Sequence, residues 1–298
     1  MTTTLTRYGG HTMTAQLRTL IMWTPPSTRD DDDWKRFNFV HPIDDGLAAR
    51  EHDALRQLLA AQGIEIIVPE METPAQHDVI FPFDPSIMTD AGAVILRMGK
   101  HVRREEPALA ELVYRDLGIP VIGRIEEPGT VEGGDTMWLD DRTLAVGVGY
   151  RTNTEGIRQL QAIFDAAELG VTIIPVSLPY WNGPDECLHL LSLLSPVAGD
   201  LAIGYPKLMP VTFVQELADR GWRLVEIPDE EFSTQGCNVL TIRPGLVVML
   251  RPNEVSRQRL EAEGIKVLTY AGDEISHNRG GGPTCLTRPI WRTETVIA

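Results

Sequence analysis

Short apolar runs alternate with stretches of helical spacing along almost the whole chain, and this alternation constrains the fold more than any other feature. Short apolar runs bounded by turn residues are typical of strands that are buried in a sheet. The runs are Leu17–Trp23, Ile64–Val68, Ala93–Leu96, Leu144–Val148, Val171–Val176, Asn238–Ile242, Leu246–Leu250 and Ile265–Leu268. Because strands and helices alternate, the sequence predicts an α/β fold.

Five intervening stretches carry apolar residues at the intervals of an amphipathic helix. They are Leu47–Gln62, Val102–Leu117, Thr154–Ala167, Pro206–Arg220 and Asn253–Glu263. Five comparable strand-helix units suggest fivefold internal symmetry, although no repeat is visible in the sequence itself. A doubly wound parallel sheet is the alternative architecture, but neither a GxGxxG motif nor a P-loop follows the first predicted strand.

The organisation of the chain predicts one domain. Its 298 residues include 43% apolar residues, which is enough for a large core, and no segment of distinct composition divides them. Only the first residues have the character of a loose tail. We therefore expect a tail over residues 1–14 and a single α/β domain over residues 15–298.

The net charge limits which partners the chain is expected to bind, and the cysteine content indicates the redox state of its compartment. The formal net charge of −15 disfavours nucleic acid and anionic membrane surfaces, and it favours a small cationic or zwitterionic ligand. No run approaches a membrane span, and the N-terminus lacks the pattern of a signal peptide. Three widely spaced cysteines, Cys187, Cys237 and Cys285, argue against a disulfide framework or a zinc site and suit a reducing cytoplasm. We expect Cys187 and Cys237 to be inert core residues in apolar strands.

A Gly-rich turn precedes the third cysteine, in Gly280-Gly281-Gly282-Pro283-Thr284-Cys285. Three glycines remove side chains that would block close approach to the backbone. A cysteine that follows such a turn can present its sulfur in a cleft, with backbone N–H groups nearby to stabilise negative charge. The segment predicts a nucleophile on a prepared loop, and a turn with a buried structural cysteine is the alternative.

Two further motifs supply what a cysteine nucleophile needs. His189 lies in an apolar run, and histidine is the usual base or ion-pair partner of a catalytic thiol. Glu132, within Val131-Glu132-Gly133-Gly134-Asp135, offers a carboxylate that can orient such a histidine. A structural histidine and an acidic turn are the alternatives, since distance in the sequence leaves the proximity of these residues open.

Six motifs in a fixed order make the chain resemble the guanidine-modifying, or pentein, superfamily, which includes arginine deiminases, amidinotransferases and dimethylarginine dimethylaminohydrolases. The motifs are Asp78–Pro85, Leu96–Lys100, Glu132–Asp135, Arg151–Asn153, Leu188–Leu190 and the Gly-rich loop with Cys285. The resemblance implies a five-bladed α/β propeller of pseudo-fivefold repeated strand-helix units. It also implies chemistry that requires no metal or organic cofactor.

The resemblance assigns roles to individual residues. Cys285 would attack the central guanidinium carbon, His189 would protonate the departing amine and then activate water, and Glu132 would contact the substrate guanidinium. Asp78 and Asp84 would grip the guanidinium nitrogens, because a planar cation in a cleft needs carboxylate partners. Turn capping is the alternative role for the two aspartates.

The resemblance also indicates how the rest of the substrate is held. Arg97 and Arg151 would bind the α-carboxylate of an amino-acid substrate, a role that suits the bidentate guanidinium group. A surface charge and a local turn contact are the alternatives for these arginines. Phe83 stands directly before Asp84, where dimethylarginine enzymes usually have glutamate. This departure indicates that the substrate is a related guanidine or is held differently.

The residue two positions after His189 separates the branches of the superfamily. Deiminases and amidinotransferases typically have aspartate there, and this chain has Leu191. The resemblance therefore favours a cysteine-dependent hydrolase that cleaves a C–N bond of methylated arginine or a related guanidine. The covalent intermediate would be an S-alkylthiouronium, and the products would be a ureido compound and an amine. An amidinotransferase, an arginine deiminase-type enzyme and a non-catalytic arginine binder are the alternatives, and a homodimer is left open.

Overall fold

Fifteen strands alternate with seven α-helices in a computed structural model that describes residue 5 and residues 7–27, 33–70 and 77–293. The strands are β1 (Gln16–Ile21), β2 (Glu65–Ile67), β3 (Ser86–Thr89), β4 (Gly92–Ile95), β5 (Val121–Arg124), β6 (Thr136–Asp140), β7 (Thr143–Val148), β8 (Thr172–Ser177), β9 (Leu194–Ala198), β10 (Leu201–Gly204), β11 (Arg223–Glu226), β12 (Leu240–Arg243), β13 (Leu246–Leu250), β14 (Lys266–Tyr270) and β15 (Arg288–Thr293). The helices are α1 (Asp33–Arg36), α2 (Asp45–Ala60), α3 (Glu106–Asp116), α4 (Thr154–Ala166), α5 (Leu190–Leu193), α6 (Val211–Asp219) and α7 (Glu254–Ala262).

The strands form five three-stranded sheets in the described part of the chain, and all five have the same design. Their strand orders are β15-β1-β2, β3-β4-β5, β6-β7-β8, β9-β10-β11 and β12-β13-β14. In each sheet the middle strand pairs antiparallel with its first neighbour and parallel with its second. A parallel pair needs a crossover connection. Helices α2, α3, α4, α6 and α7 provide it, so the predicted α/β alternation is confirmed.

The helix boundaries show how proline sets the start of a helix. Helix α3 begins at Glu106, later than predicted, with Pro107 in its first turn. Helix α6 begins at Val211 after Pro210, and the predicted start at Pro206 is a separate 3₁₀ turn. Proline lacks an N–H and has a fixed φ, so it is tolerated in the first turn but not within a helix. Both predicted helices are therefore confirmed with later starts.

The two ends of the described chain meet in one sheet. Strand β15 pairs with β1, and the chain before β1 extends this contact. The Gly9 N–H donates to Ile290 O at 2.8 Å, and Gly9 O accepts from Arg292 N–H at 3.0 Å. The tail predicted over residues 1–14 lies partly outside the described residues. No helix among the described residues is both long and apolar enough to cross a membrane.

Glu51 ties helix α2 to the segment that leads into the Gly-rich loop. Its buried carboxylate accepts hydrogen bonds from the backbone N–H groups of Asp273 and Glu274, each at 2.9 Å, and of Ile275 at 3.2 Å. These N–H groups belong to the start of a π-helical turn over Asp273–His277, where donors lack partners within the turn. The contact therefore anchors the chain just before residues 280–285.

We predict that Glu51→Ala lowers the free energy of unfolding by about 1.5–3 kcal/mol, because buried backbone donors lose a charged acceptor. Glu51→Gln keeps one acceptor oxygen and should lose less. Urea denaturation measures both variants. Glu263→Ala is the matched control, since Glu263 forms a partly exposed pair with Arg223 at 2.7 Å, worth about 1 kcal/mol or less. A Glu51→Ala protein as stable as this control would contradict the anchoring contact.

Candidate active site

Asn238 holds Cys285 and the loop that carries it. The Asn238 Nδ2 group donates to Cys285 Sγ at 3.2 Å, and its Oδ1 accepts from the Thr284 N–H at 3.1 Å. Asn238 lies two residues before the start of β12 at Leu240. The side-chain amide of Asn238 thus fixes both the Cys285 thiol and the backbone of Thr284.

Two of the three glycines of the loop, Gly281 and Gly282, are required by close approach, whereas Gly280 has a positive φ. A Cβ atom on Gly281 would lie 2.4 Å from the ring of Phe81, and one on Gly282 would lie 2.4 Å from the Asn238 side chain. Neither distance is possible for a real side chain without movement of the loop. The predicted reason for the glycines, removal of blocking side chains, is therefore confirmed for Gly281 and Gly282.

His189 and Glu132 form a direct contact. His189 Nε2 lies 2.7 Å from Glu132 Oε2, and both side chains are buried. His189 is the residue before helix α5, and Glu132 directly precedes a 3₁₀ turn over Gly133–Asp135. A Cβ on Gly134 would lie 2.3 Å from His189 Nδ1, so the imidazole lies against the backbone of that turn.

Asp135 completes the turn and fixes the start of helix α5. Its Oδ1 accepts a hydrogen bond from the Leu190 N–H at 3.0 Å, next to His189 in the chain. Burial raises the pKa of Asp135 to about 6. The segment Glu132–Asp135 thus holds His189 in three ways. Glu132 contacts the imidazole, the backbone of Gly134 lies against the ring, and Asp135 accepts a hydrogen bond from the N–H of the next residue, Leu190. The sequence identified Glu132 but not Asp135, although both belong to the same short motif.

The contact between His189 and Glu132 is an ion pair. Burial alone would raise the pKa of Glu132, but the hydrogen bond with His189 and the charge of Arg151 hold it well below its usual range. Burial alone would lower the pKa of His189, but the negative charges of Cys187 and Asp135 raise it well above its usual value. Arg151 Nη1 lies 3.4 Å from Glu132 Oε2. At neutral pH the imidazole is therefore protonated and the carboxylate is charged.

Asp78 and Asp84 are buried and each pairs with a cation of the chain. Asp78 Oδ2 accepts from Lys100 Nζ at 2.6 Å, whereas its Oδ1 is buried with no hydrogen-bond partner among the described residues. Asp84 Oδ2 accepts from Arg103 Nη1 at 2.6 Å, and its Oδ1 accepts from the Gly134 N–H at 2.9 Å. Asp78 therefore keeps one acceptor oxygen for a ligand. The sequence did not identify Lys100 or Arg103.

Most of the predicted residues meet around one cavity of about 450 Å³. Its lining includes Cys285, His189, Asp78, Asp84 and Arg151. The lining also includes residues that the sequence did not assign to the site, among them Lys100, Arg103, Cys187, Asn238 and Arg279. A wider cavity adjoins it and shares part of its lining, including Arg151 and Cys187. Glu132 is fully buried and does not line the cavity itself, but it contacts His189 and Arg151, which do.

Arg97 and Phe83 lie away from this cavity. Arg97 donates to Gly129 O at 3.2 Å, and its Nη2 lies 3.3 Å from Glu127 Oε2. The Phe83 ring is buried under the guanidinium of Arg288, 3.9 Å from the ring centroid. It lines a separate cavity of about 590 Å³ that contains neither Cys285 nor His189.

The prediction that Cys187 is an inert core residue in a strand is wrong. Cys187 is exposed, in the irregular segment before helix α5, and its Sγ lies 3.5 Å from His189 Nδ1. The apolar neighbours of Cys187 gave no sign of this contact, which depends on the local path of the chain. Cys237 is buried as predicted, in a turn before β12, and burial raises the pKa of its thiol.

Cys285 has the opposite electrostatic surroundings. Burial and then the negative charge of Asp84 raise the pKa of the Cys285 thiol to about 11. His189, the amide of Asn238 and the Gly282 backbone favour the thiolate but do not outweigh these effects. At neutral pH Cys285 is therefore a neutral thiol when no ligand is bound.

The carboxylates and the imidazole of the site also form a compact group of potential metal ligands. One donor atom from each of Asp84, Glu132 and His189 lies within 4.8 Å of the others. Arg103 already neutralises Asp84, and Glu132 already engages His189 Nε2. We interpret the group as a set of charges balanced by the protein itself, because its donors have cationic partners.

A thiol, an imidazolium–carboxylate pair and buried aspartates around one cavity are features of guanidine-modifying enzymes. Comparison with known proteins points to the same class. Residues 22–292 match the family model described as N,N dimethylarginine dimethylhydrolase, eukaryotic. The chain therefore belongs to the dimethylarginine dimethylaminohydrolase family of the pentein superfamily.

Individual relatives agree with this family. The N(G),N(G)-dimethylarginine dimethylaminohydrolase of Streptomyces coelicolor is 34% identical over 190 residues, which cover 63% of this chain and 66% of that protein. The arginine deiminase of Listeria welshimeri is 26% identical over 255 residues, 72% of this chain and 62% of that protein. The chain thus spans less than two thirds of the length of these two relatives.

A solved structure resembles almost the whole chain. It is a cysteine-to-serine variant of the dimethylarginine dimethylaminohydrolase from Pseudomonas aeruginosa in complex with citrulline. The TM-score is 0.75 at 25% sequence identity, and the match covers 93% of this chain and 100% of that one. The mixed α/β fold described above is therefore the fold of this family.

We predict that Asp135→Ala lowers the free energy of unfolding by about 1–3 kcal/mol, because the buried Leu190 N–H loses its acceptor. Asp135→Asn retains an oxygen at the same place and should cost less than the alanine variant. Chemical denaturation compares the two proteins with the wild type. Equal loss in both variants would show that the hydrogen bond to Leu190 does not fix the start of helix α5.

Proposed function

We propose that the chain is a cysteine-dependent hydrolase that cleaves a C–N bond of an N-substituted guanidine, with methylated arginine or a related arginine-like compound as substrate. The observation that carries the proposal is the 2.7 Å contact of His189 with Glu132 beside a cavity that Cys285 also lines. Membership of the family supports the substrate class.

The cavity has the charges that a guanidinium needs. Asp78 offers a buried oxygen without a partner among the described residues, and Asp84 lies close enough to Cys285 to raise the pKa of its thiol. A cation that binds here would give the Asp78 oxygen a hydrogen-bond donor and would offset the negative charge of Asp84 near Cys285. Arg151 lines both adjoining cavities, where the carboxylate of an amino-acid substrate would lie. Arg97 and Phe83 lie outside this cavity and receive no direct role.

The first half of the reaction forms a covalent intermediate. The bound cation stabilises the thiolate, so Cys285 loses its proton to solvent as substrate binds. The sulfur forms a bond to the guanidinium carbon, and the C–N bond to the substituted nitrogen breaks. His189 gives its proton to the departing amine. An S-alkylthiouronium remains on Cys285.

The second half returns the enzyme to its starting state. His189, now neutral, takes a proton from water, and the oxygen attacks the same carbon. The C–S bond then breaks, and the ureido product leaves. The hydroxyl proton of the adduct returns Cys285 to the thiol. The net reaction consumes one guanidinium and one water, and yields one ureido compound and one protonated amine. Glu132 keeps His189 oriented throughout.

Leu191 favours hydrolysis of substituted guanidines over the alternatives. It is buried in an apolar cluster with Leu190 and Met137, so no carboxylate extends from this position. Deiminases and amidinotransferases of the superfamily typically have an aspartate there. Amidino transfer would require an amine in place of water as the second nucleophile. An added amine acceptor separates the two reactions, because only a transferase gives an amidinated acceptor.

We also infer the architecture of the domain that carries this site and the cellular compartment in which it acts. Five sheets with one repeated strand order support a five-bladed propeller that forms a single catalytic domain over residues 15–298. The free thiols suit a reducing cytoplasm. A homodimer stays a prediction.

We predict that the purified protein releases methylamine or dimethylamine from methylated arginines, with citrulline as the second product. Mass spectrometry follows both products over a panel of arginine, methylarginines, agmatine and guanidinoacetate. Cys285→Ala should lower turnover by roughly a thousandfold or more, because no other group forms the intermediate.

Cys237→Ala is the matched control, since it removes a thiol that lies outside the cavity, and it should retain activity. Turnover by Cys285→Ala at the wild-type rate would contradict the mechanism. Ligand binding without turnover by the wild-type protein would instead indicate a non-catalytic arginine binder.

We predict that alkylation of Cys285 by iodoacetamide in the ligand-free protein accelerates about tenfold for each pH unit from 7 to 10, because only the thiolate reacts and the pKa is about 11. Mass spectrometry of the peptide that contains Cys285 gives the rate. A bound guanidine product or inhibitor that stabilises the thiolate should shift the profile to lower pH. A plateau near neutral pH without ligand would contradict a neutral resting thiol.

A further inference from the structure

We propose that Cys187 is the thiol that pairs with His189 in the ligand-free site, and that it holds the imidazole in position and in its protonated form until a guanidine binds. Cys187 is then a positioning residue, which acts on the reaction through His189. This inference rests on the proposed function in one respect, because there His189 is the acid that protonates the departing amine.

The geometry gives each nitrogen of the imidazole its own partner. His189 Nε2 lies 2.7 Å from Glu132 Oε2, and Nδ1 lies 3.5 Å from Cys187 Sγ. The sulfur is farther from Nε2, at 3.9 Å. The ring also lies against the backbone of Gly134. An imidazolium has two N–H donors, and this arrangement offers an acceptor for both.

Cys187 and Cys285 line the same cavity but have opposite partners. Cys285 Sγ accepts a hydrogen bond from the neutral amide of Asn238 and lies near the negative charge of Asp84. Cys187 Sγ lies beside the imidazolium of His189. A thiolate is stabilised by a neighbouring cation and destabilised by a neighbouring anion. The negative charge therefore belongs on Cys187 in the resting site.

The charged groups around His189 come from every segment that packs against it. They are Glu132 and Asp135 from the turn before β6, Asp84 from the segment before β3, Arg151 from the segment before α4, Cys285 from the Gly-rich loop and Cys187 from its own segment. The positive charges of His189 and Arg151 lower the pKa of Cys187 below its ordinary value.

Removal of Cys187 should weaken the acid form of His189. The negative charges of Cys187 and Asp135 raise the pKa of His189, so loss of Cys187 lowers it. A smaller fraction of the enzyme then carries the proton that the departing amine needs, and turnover declines at a lower pH on the alkaline side. Cys187 is exposed, which makes its substitution tolerable for the fold.

The first test follows the ultraviolet absorbance of thiolate in the ligand-free protein as the pH is raised. The wild type should show one thiolate that titrates below the ordinary thiol value of about 8.5. Cys285→Ala should keep this step, and Cys187→Ala should lose it. Loss of the step in Cys285→Ala, or its absence from the wild type, would overturn the proposal.

The second test separates charge from shape at the same position. NMR titration of His189 should give a lower midpoint in Cys187→Ala, and also in Cys187→Ser, which keeps a hydrogen-bonding group but carries no charge at neutral pH. A wild-type midpoint in either variant would show that the sulfur does not hold the imidazole in its protonated form.

Neither titration requires turnover, so the outcome of each does not depend on whether the proposed function is correct. If no guanidine is hydrolysed while the thiolate and imidazole titrate as expected, the pairing of Cys187 with His189 stands and the assigned reaction does not. If guanidines are hydrolysed while Cys187→Ala leaves both titrations and the alkaline limit of turnover unchanged, the pairing is overturned and the reaction stands.

Discussion

A buried ion pair between His189 and Glu132 is the interaction on which the rest of the site depends. Two charges that leave water need close partners, since an uncompensated buried charge is strongly destabilising. Glu132 meets this need through His189 and through the Lys100 backbone N–H at 2.9 Å, with Arg151 at 3.4 Å. In the turn over Gly133–Asp135, Gly134 has no side chain, so the His189 ring lies directly against the backbone. Asp135 of the same turn fixes the start of helix α5 through the Leu190 N–H.

The same requirement explains the cations around the aspartates. Arg103 lies between Asp84 and Glu106, with contacts of 2.6 and 2.7 Å, and Lys100 pairs with Asp78 at 2.6 Å. In the absence of a ligand, these cations pair with the buried carboxylates that line the cavity. Under the proposed function, a substrate guanidinium would fit among charges that are already paired, and the Asp78 oxygen without a partner among the described residues would accept its hydrogen bond.

Local patterns predicted the elements that carry the site but not every residue that faces it. Periodicity located the five crossover helices, and Cys285 and His189 proved to line one cavity. Arg97 was assigned to substrate, yet it pairs with Glu127, a contact that depends on tertiary structure. The apolar neighbours of Cys187 predict a core residue, but the irregular segment before helix α5 places its sulfur 3.5 Å from His189 Nδ1. The apolar runs do not include the closing strand β15, because its charged residues interrupt the apolar pattern.

The central claim is that guanidine chemistry passes through a covalent bond to Cys285. Acid quenching during turnover of a methylated arginine, followed by mass spectrometry of the digested protein, tests it most directly. The account predicts a transient mass increase on the peptide that contains Cys285 and none on the peptide that contains Cys187. Turnover without an adduct on Cys285, together with activity that survives in Cys285→Ala, would contradict it.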